Sequence, residues 1–162
     1  APKRLGKVEE HEHGGRARHF PRTLQHGVLM ANKKRTEPEY RLNIFYRPDE
    51  QTQKKKLAFL VRTIQEFVSF QYDVLLKDEI AGTRIQLNIA GLSAPSALMP
   101  GGGPAVGFKE YSHLRGNYSL VVRKLDGATN EFRIEVGPDE VRILEAPNNP
   151  VILVSTEPVI LS

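Results

Sequence analysis

Four of the five histidines in this chain, His11, His13, His19 and His26, lie in its first 26 residues. In the run His11-Glu12-His13 two imidazoles stand two residues apart. On an extended chain they would face the same way, the spacing that lets a pair share a zinc or nickel ion. A structural metal site also needs a fixed shell of groups around its ligands. Gly14-Gly15 follow at once and offer none. His11 and His13 are therefore weak metal candidates, and no cofactor is expected.

Hydrolytic chemistry has equally little to work with. Ser112-His113 is the only Ser–His neighbour pair in the body of the chain, and no G-x-S-x-G turn precedes it. Carboxylate pairs could be drawn from Asp73, Asp78, Glu79, Asp139 and Glu140, but these fall at strand ends and turns, where solvated acids are ordinary. Pro100-Gly101-Gly102-Gly103-Pro104 has the glycines of a phosphate-cradling loop. It lacks the following Lys and Ser/Thr at a helix start, and its two prolines remove donors. Arg18 and Arg22 have the R-x-x-x-R form of PilZ-type cyclic-dinucleotide barrels. The second half of that pattern fails in Asn88–Ser93, at Ala90 and Ser93. No constellation supplies a nucleophile with its base, so no enzymatic activity is expected.

Charge is more informative. The formal net charge is +4. Residues 1–38 hold nine basic side chains against four acids, whereas residues 39–162 hold 14 against 15. The whole basic excess thus sits in the first quarter, which bears on partners and solubility rather than on fold. That quarter has no apolar stripe and no sustained alternation. A segment that cannot bury enough apolar area stays loose until a partner supplies the surface. Residues 1–38 accordingly read as a basic, loosely structured arm. Its partner-binding candidates are Arg16, Arg18, Phe20, Arg22, Leu24, Lys33, Lys34 and Arg35.

The remaining 39–162 must supply the scaffold. A chain of 162 residues is long enough for one domain with a real core. The absence of cysteine excludes a disulfide framework, a thiolate metal site and a cysteine nucleophile. No apolar run approaches the length of a membrane span. No secretory leader is visible either, so a cytoplasmic location is expected.

Tyr40–Tyr46 alternates as a strand, and Pro48-Asp49 stops it. Leu57, Leu60, Val61, Ile64, Phe67 and Val68 then recur at three- and four-residue steps. This predicts one long helix over about 50–69, capped by Asp49, with an Arg62–Glu66 pair on its outer side. Strands follow near 71–76 and 83–90 as a hairpin, then a long loop over 91–107. Further strands are predicted near 106–111, 117–125, 131–136, 140–144 and 151–155. The expected fold class is α+β, a helix packed on a mostly antiparallel sheet forming a sandwich or partly open barrel.

Together these features point to a non-catalytic interaction or assembly protein, an accessory subunit whose arm docks on other protein subunits of a larger complex. The alternative is a nucleic-acid-binding protein that lays the arm on phosphates. The C-terminal run NNPVILVSTEPVILS carries two apolar stretches. They offer an edge for self-association, or else pack on the chain's own body.

Overall fold

The computed structural model describes residues 37–94 and 101–160, and among these no residue is helical. The long helix expected over about 50–69 is absent. In its place β1 (Tyr40–Pro48) and β2 (Lys55–Phe67) form an antiparallel hairpin. The α+β expectation is therefore wrong, and the body is all-β.

The cause of that misreading lies in β2. Leu57, Ala58, Phe59, Leu60 and Val61 are each no more than 1% exposed, so the strand is buried on both faces. A strand covered on both sides loses its period of two, and an unbroken apolar run can then imitate a helical stripe. Asp49 does cap something, but it is the hairpin loop. Its carboxylate accepts hydrogen bonds from the Gln51 amide (3.1 Å) and the Thr52 hydroxyl (2.8 Å), while its own N–H donates to the Lys54 carbonyl. Gln53, at φ 62°, takes the left-handed position that closes the turn. The expected Arg62–Glu66 pair does not form either. The ladder between β2 and β5 is irregular across these residues, and Arg62 turns to the Asn43 side chain at 3.2 Å.

Seven more strands follow: β3 (Asp73–Ala81), β4 (Arg84–Ser93), β5 (Gly103–Tyr111), β6 (Gly116–Arg123), β7 (Thr129–Val136), β8 (Val141–Glu145) and β9 (Ile152–Ser155). All nine join one sheet in the order β8-β7-β6-β4-β3-β5-β2-β1-β9. The β1/β9, β3/β5 and β4/β6 junctions are parallel and the rest antiparallel. Gly82, at φ 60°, turns β3 into β4. In the glycine run that falls short of a phosphate loop, Gly102 has a packing reason. A Cβ on Gly102 would lie 2.3 Å from the Phe67 carbonyl oxygen, so only glycine lets β5 start against the end of β2.

The sheet curls until its ends nearly meet. β8 covers β7 along Arg133–Val136, and β9 covers β1 along Tyr40–Asn43, so the two short strands share one place in the ring. Side chains sew the seam between them. Asn130 Oδ1 accepts from the backbone N–H of Val151 (2.7 Å) and Ile152 (3.1 Å). The Tyr46 hydroxyl donates to the Gly137 carbonyl at 2.7 Å, and Lys55 meets Asp139 at 3.4 Å. Phe59, Phe132, Ile44, Leu87, Leu120 and Ile134 fill the interior.

Candidate docking face

Alternation along a strand sends successive side chains to opposite faces of the sheet. Leu57, Phe59 and Val61 point into the barrel, so Lys56, Ala58, Leu60 and Arg62 belong to its exterior. The register extends that exterior across three strands. Phe45 stands opposite Ala58, and Asn43 opposite Leu60. On the other side Leu60 faces Phe108 and Arg62 faces Val106. The outside of a barrel in water is ordinarily polar. Here Phe45, Ala58 and Leu60 form a separate apolar cluster, at most 5% exposed, flanked by Val106.

The chain's own C-terminal segment covers part of this cluster. After β9 the backbone crosses to the exterior, where Asn43 Nδ2 donates to the Glu157 carbonyl at 3.0 Å. Val159 packs on the cluster. The cover stops short of the neighbouring Phe108. Phe108 remains 43% exposed, and Ile160, the next residue of the segment, is 94% exposed.

Cations bound the apolar patch at both ends. Arg41 stands directly opposite Arg62, and Arg47 opposite Lys56, arrangements that repel unless something intervenes. Lys56 reaches Asp49 at 3.2 Å. Among the described residues Arg41, Arg47 and Arg62 form no ion pair with an acid. Arg47 instead lies over the Phe108 ring, 5.7 Å from its centroid. Arg62 Nη2 bonds Asn43 Oδ1, but its Nε is buried with no hydrogen-bond partner. A buried donor left unpaired costs free energy. Apolar anchors ringed by unpaired cations suit an extended, acidic, partly aliphatic segment of another molecule.

The partner-binding residues expected from sequence, Arg16, Arg18, Phe20, Arg22, Leu24, Lys33, Lys34 and Arg35, lie outside the described residues. So do His11 and His13. Among the described residues no group of three or more His, Asp or Glu side chains could hold a metal ion. Ser112 and His113 are exposed in the turn between β5 and β6. Of the carboxylates weighed for acid–base work, Asp139 pairs with Lys55. Asp78 meets Lys109 at 3.5 Å and accepts the Tyr111 hydroxyl, bridging β3 to β5 where their ladder has opened. Burial, and then the Asp78 carboxylate, push the Tyr111 phenol up, so it stays protonated and acts as a donor only. Asp73, Glu79 and Glu140 are solvated.

Sequence reasoning missed the exterior face entirely. The signal was present in the β-branched and aromatic content of β2, but reading it required the hairpin register first. The C-terminal apolar runs lie partly on the body. Val151 and Ile152 are buried, and Val159 sits on the exterior cluster.

A second apolar surface lies at the end of the barrel where β1 begins. Ile64, Phe67 and Leu92 line a hollow of about 270 Å³. Leu125 hangs over Gly91 and is 74% exposed. β4 leaves and β5 enters at this end, and the connecting residues 95–100 lie outside the described residues.

No helix among the described residues is long and apolar enough to cross a membrane. No protein-family description, no curated protein and no solved structure matches this chain.

Proposed function

We propose that this chain is a non-catalytic docking subunit, held in a larger protein assembly by the exterior of its barrel and by its basic N-terminal segment. The observation that carries this reading is the apolar cluster of Phe45, Ala58 and Leu60. It lies on the outside of the barrel, packed under Val159 and bordered by the 43% exposed Phe108, between two pairs of like-charged cations. Exterior apolar surface rimmed by polar groups marks interaction sites more often than it serves stability. A second reading is favoured by the Arg47–Phe108 stack at one end of the patch and the Arg41–Arg62 pair at the other: single-stranded nucleic acid, with a base on the ring and phosphates on the arginines and the basic segment.

Co-purification with three forms of the full chain tests the choice. These are the wild type, Phe108→Asp, and a triple variant with Arg16, Arg18 and Arg22 all changed to alanine. The docking reading expects one defined set of proteins with the wild type, depleted in both variants. Nucleic acid released steeply between about 50 and 200 mM salt would favour the second reading, because phosphate contacts displace counterions. A wild-type chain that recovers neither, at any salt concentration, would overturn both.

A further inference from the structure

The segment Thr156–Ile160 crosses the docking face as a strap, and its hold is slight. One backbone carbonyl, that of Glu157, takes a hydrogen bond from Asn43. One side chain, that of Val159, packs on the exterior cluster. Pro158 has no N–H to give, and Ile160 stands almost wholly in solvent. The face offers more than the strap uses. Phe108 is 43% exposed, and among the described residues Arg41 and Arg47 have no acid and the buried Nε of Arg62 has no acceptor. One bond and one valine are a weak return for ordering five residues.

We propose that the strap is an internal stand-in for the partner. The face takes, in trans, an extended segment of another protein with the strap's own chemistry: an acid, one residue, then two β-branched aliphatics. The strap must lift to admit it. This rests on the docking reading above and adds the partner's chemistry and its competitor. Asn43, 6% exposed, presents its amide to a backbone carbonyl, which fixes an extended occupant. Tethered to β9, the strap holds the face through the Glu157 carbonyl and not its carboxylate; an occupant without that tether can set its acid on the arginines while its aliphatics fill the cluster and extend onto Phe108. A ligand whose site is free only part of the time binds more weakly by that fraction, so the strap lowers the affinity of every true partner.

The test uses the full chain and a fluorescent peptide, Ser-Thr-Glu-Pro-Val-Ile-Leu-Ser, copied from residues 155–162. Val159→Asp in the chain expels the strap in cis without altering the face. Pro158→Gly, which loosens the strap, serves as a second variant should the first fold poorly. Peptide affinity should rise at least about tenfold in Val159→Asp, the factor expected of a strap docked nine-tenths of the time. The peptide carrying Lys in place of its Glu, or Asp in place of its Val, should bind poorly to every form. Arg62→Gln and Phe108→Ser should each weaken binding of the parent peptide.

Equal affinity for wild-type and strap-released chains, with Phe108→Ser still weakening both, would overturn the strap proposal and leave the docking reading standing. Binding indifferent to Phe108 and Arg62, or none at all, would remove the face itself. A strap-exchanged dimer of the wild type, detected by light scattering and abolished by Val159→Asp, would overturn the partner assignment in favour of a second copy.

Discussion

The ammonium of Lys124 lies 2.6 Å from the carboxylate of Glu39, so the end of β6 is clasped to the residue before β1 across the seam of the barrel. Lys124 exposes only 3% of its side chain, and Asp126 adds a second carboxylate at 3.4 Å. Burial pulls the ammonium's proton affinity down, but Glu39 and then Asp126 more than offset it, and the group is held above its ordinary value.

A clasp of this kind is costly to break and cheap to replace. Lys124→Met, which fills the same space with apolar atoms, should change unfolding free energy by less than about 1.5 kcal/mol. Glu39→Gln should cost about 1–2 kcal/mol, reduced from the buried-pair value because Glu39 is 55% exposed. Urea unfolding of both variants measures this. A loss above about 3 kcal/mol in Lys124→Met would mean the barrel needs the charge itself.

Asn130 holds the other part of the seam. Its Oδ1 serves two buried backbone donors, Val151 N and Ile152 N. Asn130→Ala strands both, at about 1–3 kcal/mol each. The expected result is a total loss of about 2–6 kcal/mol, together with faster hydrogen exchange at Val151 and Ile152. Unchanged exchange at those amides would show that β9 is held by β1 alone.

The strand character of β2 can be tested by side-chain truncation. Phe59 is wholly buried whereas Ile64 is 37% exposed. Phe59→Ala should cost about 3–5 kcal/mol and Ile64→Ala less than about 1 kcal/mol. A helix over these residues would put Ile64 on its buried face with Leu57, Leu60 and Val61, and the two costs would then be comparable.

Asp49 sets an acid dependence in the β1–β2 loop. The Thr52 hydroxyl first, then the Gln51 amide and the Lys56 ammonium, hold its carboxyl below the ordinary value. A depressed carboxyl lends stability that is complete above its unfolded value, about 3.9, and lost as pH falls through the lower folded one. The stability difference between wild type and Asp49→Asn should therefore shrink as pH drops below about 4. An Asp49 side-chain NMR titration with an ordinary midpoint would contradict this.

The other eight strands were legible because their patterns are local. Ile85, Leu87 and Ile89 alternate, as do Phe132, Ile134 and Val136, and glycine, proline or asparagine punctuates the gaps. β2 was not legible, since its burial on both faces erased the alternation that separates a strand from a helix. The docking face lay further out of reach. Arg41 and Arg62 become neighbours only through the hairpin register, and Val159 reaches the exterior cluster only after the chain has circled the barrel. Local periodicity contains neither the Arg41–Arg62 register nor the return of Val159 to the exterior cluster.

The parallel pairing of Tyr40–Asn43 with Ile152–Ser155 also has a consequence in time. During synthesis β1 emerges ahead of the other eight strands and pairs at once with β2, yet the neighbour on its other edge is the ninth of these strands to leave the ribosome. Until then the ring stays open, with β1 presenting an unpaired edge and Asn130 waiting for the two amides it will hold. Contacts so distant along the chain close slowly, and open edges are where nascent β-proteins associate wrongly. Ring closure thus comes after every other pairing in this sheet, and a chaperone that shields the edge of β1 would act before that moment.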